Sequence, residues 1–221
     1  MSRVLVLDVD GTLVDTNYHH ALAWFRAFRR FDVTVPVWRI HRAIGMGGDQ
    51  LVPTVAGQDV EDRLGDSVRD VWKKEVDAIL DEVCPIEGAR RLLEAARDAG
   101  YTVVLASSGK PDHVDKYLDL LDARELANDW TSSGDVSETK PEPNLIEVAL
   151  RKAGDDEAVV VGDSVWDCQA AERIGLPSVA VRTGGFGERE LRDNGASRVY
   201  ENLDDLRADL PNLPTGKPRR S

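Results

Sequence analysis

The stretch VLVLDVDGTL, residues 4–13, decides the fold. Residues 4–7 are apolar at every position, without the alternation of a half-exposed strand. Such a run fits a strand of a parallel sheet covered on both faces. It is broken at once by Asp8 and Asp10, two carboxylates two residues apart, and then by Gly11, which permits a sharp turn and a close backbone approach. Carboxylates at the end of a buried strand are costly unless a cation or ligand compensates them. Taken alone, they also read as a turn with two solvated aspartates.

Outward from this stretch, similar apolar runs recur at residues 102–106, 159–161 and 179–181. Amphipathic helices separate them. Residues 89–99 place Leu92, Leu93 and Ala96 on one face and stop at Gly100. Residues 144–153 group Leu145, Val148 and Ala149, and residues 167–174 end at Gly175. Strand alternating with helix predicts an α/β fold with a doubly wound parallel sheet. The rhythm fails between residues 16 and 83. There His20, Trp24, Phe25 and Phe28 sit at helical spacing, and residues 60–80 predict a long helix with Leu64, Val68, Val71, Trp72, Val76, Ile79 and Leu80 on its apolar side. Ile44-Gly45-Met46-Gly47-Gly48 reads as a glycine-rich loop between them. The expected organisation is an α/β core over residues 1–15 and 84–221, with a helical domain inserted over residues 16–83.

Composition narrows the function. The 221 residues carry 28 Lys plus Arg against 40 Asp plus Glu, a net charge of −12. No surplus of cations exists to neutralise nucleic-acid phosphates or to hold an anionic membrane. The two cysteines, Cys84 and Cys168, suggest neither a disulfide framework nor a cysteine-rich zinc site. No run is long enough for a signal peptide or a bilayer span, so the expected location is the cytoplasm. Pro211, Pro214, Gly216, Pro218 and the Arg219–Arg220 pair read as a solvated tail. No internal repeat is visible.

In open α/β sheets ligands bind beyond the carboxyl ends of the strands. After the first strand, one carboxylate of Asp8 and Asp10 can attack phosphorus while the other protonates a leaving oxygen and then activates water. After the second lies Ser107-Ser108-Gly109-Lys110, where a hydroxyl and neighbouring N–H groups can cradle phosphate, although serine is also a common helix cap. Lys140, in Thr139-Lys140-Pro141-Glu142-Pro143, stands in a stiffened backbone and can neutralise phosphate charge; an ordinary exposed lysine is the alternative. After the third strand, Asp163 and Asp167 are one helical turn apart and can face one point. Two such carboxylates suit Mg²⁺, and equally an aspartate cap with a surface partner. Two anions in contact repel by about 1 kcal/mol even in water, so a phosphate among these carboxylates needs local cations.

The four pieces, in this order and each after an apolar strand, together resemble the signature of the haloacid dehalogenase (HAD) superfamily over nearly the whole chain. The resemblance implies a Rossmann-like core with Asp8 as nucleophile, Asp10 as general acid/base, Ser107 as the phosphate-binding hydroxyl and Lys140 as the phosphate-binding lysine. It implies Mg²⁺ held by Asp8, the Asp10 carbonyl and Asp163, with Asp167 bound directly or through water. The insert resembles the four-helix cap of the phosphoglycolate phosphatase and β-phosphoglucomutase branch. Dehalogenases proper lack the second aspartate that Asp10 supplies here. Phosphonatases use a cap lysine, whereas Lys73 and Lys74 read as a solvated helix face.

Asp15-Thr16 and His20-x-x-Ala23-Trp24 match the first cap helix of the mutase, in which the histidine helps gate proton transfer. Where the mutase has an arginine for its distal phosphate, this chain has Gly47, Gly48, Asp49 and Gln50, with Arg42 the nearby cation. A phosphatase acting on a small phosphorylated metabolite is therefore favoured, with a phosphosugar mutase as the alternative. A signalling receiver or idle interaction module is a third reading; a receiver carries no such insert, and an idle module would be expected to lose one of the motif residues. The residues expected to contact substrate are Ser107, Ser108, Gly109, Lys140, His20, Arg42, Gly47 and Gly48. His41, Met46 and Gln50 belong to the same loop region, and Trp24, Trp38 and Trp72 either line the pocket or fill the core.

Overall fold

The computed structural model describes residues 3–154 and 157–219. Six strands form one parallel sheet: β1 (Arg3–Leu7), β2 (Tyr101–Ala106), β3 (Asp129–Thr131), β4 (Glu157–Gly162), β5 (Ser178–Val181) and β6 (Ala196–Tyr200). Their order across the sheet is β3-β2-β1-β4-β5-β6. The apolar runs became strands because every residue has a packing partner. Leu5 and Leu7 join Val103, Leu105, Val159 and Val161 on one face. Val4 and Val6 join Val104, Ala106, Ala158 and Val160 on the other. The fold is an α/β doubly wound parallel sheet, as the alternation of strands and helices predicts. β3 and β6 escaped the sequence reading. β3 has only three residues, and β6 is an edge strand whose residues are mostly half-exposed.

Four α-helices occupy residues 16–83: α1 (Asn17–Arg29), α2 (Val37–His41), α3 (Gly48–Ala56) and α4 (Gln58–Asp77). The sequence reading anticipated α1 and the long α4, but not α2 or α3 as separate helices. It also ran α4 too far. The helix stops at Asp77, and Leu80 belongs to a short 3₁₀ turn, Leu80–Glu82. Leu64 and Val71 are half-buried rather than part of the seam, which runs through Val68, Trp72 and Val76. The chain leaves and re-enters the core through one narrow neck. There the Asp15 N–H donates to the Cys84 carbonyl at 2.9 Å and the Ile86 N–H to the Leu13 carbonyl at 2.9 Å.

The remaining helices flank the sheet: α5 (Ala89–Asp98), α6 (Pro111–Leu120), α7 (Asn144–Ala153), α8 (Val165–Arg173), α9 (Glu188–Asp193) and α10 (Leu203–Ala208). α7 ends where Gly154 takes a φ of 93°, a left-handed conformation that terminates helices readily. α8 starts with a capping box, in which Ser164 accepts from the Asp167 N–H and Asp167 accepts from the Ser164 N–H. The expected solvated tail is only partly so. Ala158 and Gly216 exchange backbone hydrogen bonds at 2.8 and 3.0 Å, and the Arg219 N–H donates to the Ile174 carbonyl at 2.7 Å. β5 first pairs at Val160, so the β4 backbone at Ala158 has a free side, and the tail fills it. Arg220 of the expected arginine pair lies outside the described residues.

Candidate active site

The sheet changes winding direction between β1 and β4, which makes the carboxyl ends of these neighbours the natural ligand crevice. Register does the rest. Leu7 pairs with Val161, and the Asp8 N–H donates to the Val161 carbonyl at 2.9 Å. Asp8 and Asp163 therefore leave adjacent strands side by side. Asp167 reaches the same point from the first turn of α8. Carboxylate oxygens of Asp8, Asp163 and Asp167 all lie within 4.8 Å of one another. These residues are 5%, 1% and 1% exposed.

Lys140 is the cation of this cluster. It is 2% exposed, and its ammonium group pairs with Asp8, lies 2.8 Å from Asp167 Oδ1 and donates to the Ala106 carbonyl at 3.1 Å. Burial opposes its charge, but Asp167 and Asp8 outweigh burial and hold its pKa above the ordinary lysine value. Burial pushes the Asp8 carboxyl well above its ordinary range, only partly opposed by Lys140. Burial, reinforced by Asp167, pushes Asp163 up to about 7. Three buried carboxylates against one ammonium leave uncompensated negative charge, and their hard oxygen donors suit Mg²⁺. The residues present therefore fit that ion.

Asp10 points elsewhere. Its carboxylate stands outside the three-carboxylate cluster and takes a hydrogen bond from Ser107 Oγ at 2.8 Å and from Thr16 Oγ1 at 3.0 Å, while His20 Nε2 lies 3.1 Å away. Burial would raise its pKa, yet His20, Ser107 and Thr16 together bring it down to about 2. Thr16 stands at the N-cap position of α1 but makes no cap bond, because its hydroxyl serves Asp10. Ser107 likewise accepts from the Gly109 N–H at 2.9 Å rather than capping α6.

A cavity of about 40 Å³ opens above Asp8 and Asp10. His20, Trp24, Trp72 and residues 44–48 wall it from the helical block, and Ser108 and Gly109 from the core. Trp24 and Trp72 stack with ring centroids 4.8 Å apart. Both thus belong to the buried core and to the cavity wall. Trp38 does neither and is 69% exposed. Arg42, expected at the substrate, is not among the lining residues. Its guanidinium pairs with Glu190 and lies 4.0 Å above the Phe186 ring, because α2 packs that side of the block against the α8–α9 end of the core. His41 is similarly engaged, 3.1 Å from the Gly184 carbonyl.

Three further residues, which the sequence reading did not single out, meet the site. Thr12 Oγ1 sits 3.0 Å from Asp8 Oδ2 and 2.8 Å from Asp163 Oδ1. The Asn17 side-chain amide donates to Asp163 Oδ2 at 2.8 Å. Tyr117 Oη lies 3.4 Å from His20. Thr12 stands inside the quoted motif, but nothing in the sequence singles out Asn17 or Tyr117.

Comparison with known proteins identifies the family. Residues 3–175 match the family described as haloacid dehalogenase-like hydrolase. The chain belongs to this family. It is 25% identical over 197 residues to validoxylamine A 7'-phosphate phosphatase of Streptomyces hygroscopicus subsp. limoneus, covering 83% of this chain and 87% of that protein. It is 28% identical over 229 residues to phosphoglycolate phosphatase of Mesorhizobium japonicum, covering 95% and 96%. The crystal structure of a hydrolase from Pseudomonas syringae superposes with a TM-score of 0.90 at 30% identity, covering 96% of this chain and 99% of that one. This chain is thus a hydrolase of the HAD family. Among its described residues, no helix is long and apolar enough to cross a membrane.

Proposed function

We propose that this HAD hydrolase is a phosphatase that hydrolyses a small organic phosphate monoester through an aspartyl-phosphate on Asp8, dependent on Mg²⁺. The observation that carries the reading is the meeting of Asp8, Asp163 and Asp167 around Lys140, with a cavity above Asp8. Asp8, Asp163 and Asp167 would hold Mg²⁺, together with the Asp10 carbonyl. When bound, the ion supplies positive charge against the phosphoryl oxygens.

Asp8 attacks phosphorus with one carboxylate oxygen, and the ester oxygen leaves. Lys140 neutralises charge on the transferring group. Asp10 is held ionised in the resting site, and an entering phosphate dianion raises its pKa toward the protonated form that can serve the leaving oxygen. After the alcohol departs, ionised Asp10 takes a proton from the water that attacks the aspartyl-phosphate. Ser107 and the backbone at Ser108 and Gly109 would hold the phosphoryl oxygens once the entering phosphate displaces the resting Ser107–Asp10 and Gly109–Ser107 hydrogen bonds. His20 orients Asp10 from α1.

The helical block, residues 16–83, acts as a cap that excludes water. Among the described residues it presents no arginine or lysine to the cavity wall, and Arg42 is committed to Glu190. Arg69 of the cap lines an adjoining cavity but is paired with Glu61 and Asp66, so the cap cations near the site are already committed, which favours hydrolysis over the mutase reaction. A panel of metabolite phosphates, with released phosphate measured against Mg²⁺, tests the reading. Strict dependence of turnover on a bisphosphate activator, with slow phosphate release, would turn it to the mutase.

A further inference from the structure

A second polar knot joins cap to core, and none of the chemistry above uses it. Thr139, one residue before Lys140, is buried. Its hydroxyl donates to Asp49 Oδ1 at 2.5 Å and accepts from the Gly47 N–H at 2.9 Å. Its backbone N–H donates to Asp49 Oδ2 at 3.2 Å, an oxygen that also accepts from the Gln50 side chain at 3.2 Å. Its carbonyl accepts from the Glu142 N–H at 3.0 Å. Every polar group of residue 139 is thus engaged, and all but the carbonyl bind the cap loop. The approach is close enough to need glycine at position 47, where an added Cβ would stand 2.3 Å from Thr139 Oγ1.

We propose that Asp49 and Thr139 form a clamp through which the cap loop sets the place of Lys140. They are positioning residues and touch no reacting atom. The inference rests on the role given to Lys140 under the proposed function. Lys140 reaches three acceptors at the end of a long flexible side chain, so the place of its backbone decides whether its ammonium meets them. Cap contact fixes that backbone through its immediate neighbour. The carboxylate of Asp49 has the wrong charge to grip a phosphate ester, which argues that it faces the core rather than the substrate. A shift of about 1 Å at a catalytic group costs on the order of 10²-fold in rate.

The test uses the full chain with two probes, acetyl phosphate and the larger p-nitrophenyl phosphate. Asp49→Asn and Thr139→Val should each lower kcat by roughly 10- to 100-fold on both probes, with KM nearly unchanged. The double variant should be no worse than the poorer single one, and Thr139→Ser should recover most of the rate. Amide exchange at Gly47 and Thr139 should quicken about tenfold or more in Asp49→Asn. Additive losses, a KM effect confined to the larger probe, or unchanged exchange would overturn the clamp. Should Thr139→Val fail to fold, Asp49→Asn decides by kinetics and exchange together. Wild-type protein that hydrolyses neither probe with Mg²⁺ would end the phosphatase reading, and the exchange rates would still decide the clamp.

Discussion

At the scale of single residues, the site is a balance of buried charges. Asp8, Asp163 and Asp167 crowd one ammonium group, and burial raises the cost of each negative charge. Asp8→Asn should therefore separate function from stability. Phosphate release should fall by roughly three orders of magnitude or more, because the proposed nucleophile is gone. Thermal unfolding of the same variant without metal should occur at or above the wild-type temperature, because one repelling charge has been removed. A loss of several degrees would contradict that charge balance. The same crowding makes the cluster a cation sink. Saturating Mg²⁺, at about 100 times its dissociation constant, should add about 2.7 kcal/mol. That is a rise in Tm of roughly 5–10 °C for a domain of this size. Asp163→Asn should lose most of the rise in a thermal shift assay.

At the scale of elements, α6 ties the sheet layer to two helices of the inserted block, α1 and α4. Tyr117 meets His20 of α1, and one turn earlier His113 Nε2 lies 2.9 Å from Asp77 Oδ1 of α4. Beside them Lys73 of α4 stands 3.6 Å from Asp112. His113 is buried, and burial, aided by the charge of His20, lowers its pKa below 6.5, although Asp77 and Asp10 pull the other way. In the unfolded chain the imidazole protonates near its ordinary value, while the folded chain resists. Stability contributed here is therefore complete above about pH 6.5 and is lost as pH falls toward the depressed native value. His113→Gln keeps a donor for Asp77 but does not titrate. Its Tm should fall less than that of the wild type between about pH 7 and about pH 5. Parallel pH profiles for the two proteins would show that His113 does not set this slope.

At the scale of the whole molecule, the net charge of −12 sets how substrate arrives. The proposed phosphate ester would approach a molecule of its own sign, so long-range forces would repel it and attraction would begin only near Lys140 and the proposed Mg²⁺ site. Salt screens the repulsion more than the short-range, buried attraction. For a dianionic ester at fixed Mg²⁺, kcat/KM should rise modestly as ionic strength goes from low to physiological. A steep fall would mean a cationic funnel that the charge distribution does not suggest. The sheet and the helical block also share one apolar cluster, which holds Leu5, Leu105 and Val161 of the sheet together with Val9, Leu13 and, from α1, Trp24 and Phe28.

Much of this protein was legible before any coordinates. The apolar runs at β1, β2, β4 and β5 and the helices between them are local signals, because periodicity and turn residues act within a few positions. The motif carboxylates were legible for the same reason: charge at the end of a buried strand is conspicuous in one dimension. The short or half-exposed β3 and β6 gave no such signal, since their pairing depends on neighbours distant in the chain. Nor could the sequence separate Asp10, held by Ser107, Thr16 and His20, from the cluster of Asp8, Asp163 and Asp167 around Lys140. It could not commit Arg42 to Glu190, bring Asn17 to Asp163, or set Asp49 against Thr139. Composition and local pattern determine which residues can do chemistry and where strands and helices form. Strand register and the docking of the helical block decide which side chains meet, because those contacts join residues far apart in sequence and are set by the packing of whole elements.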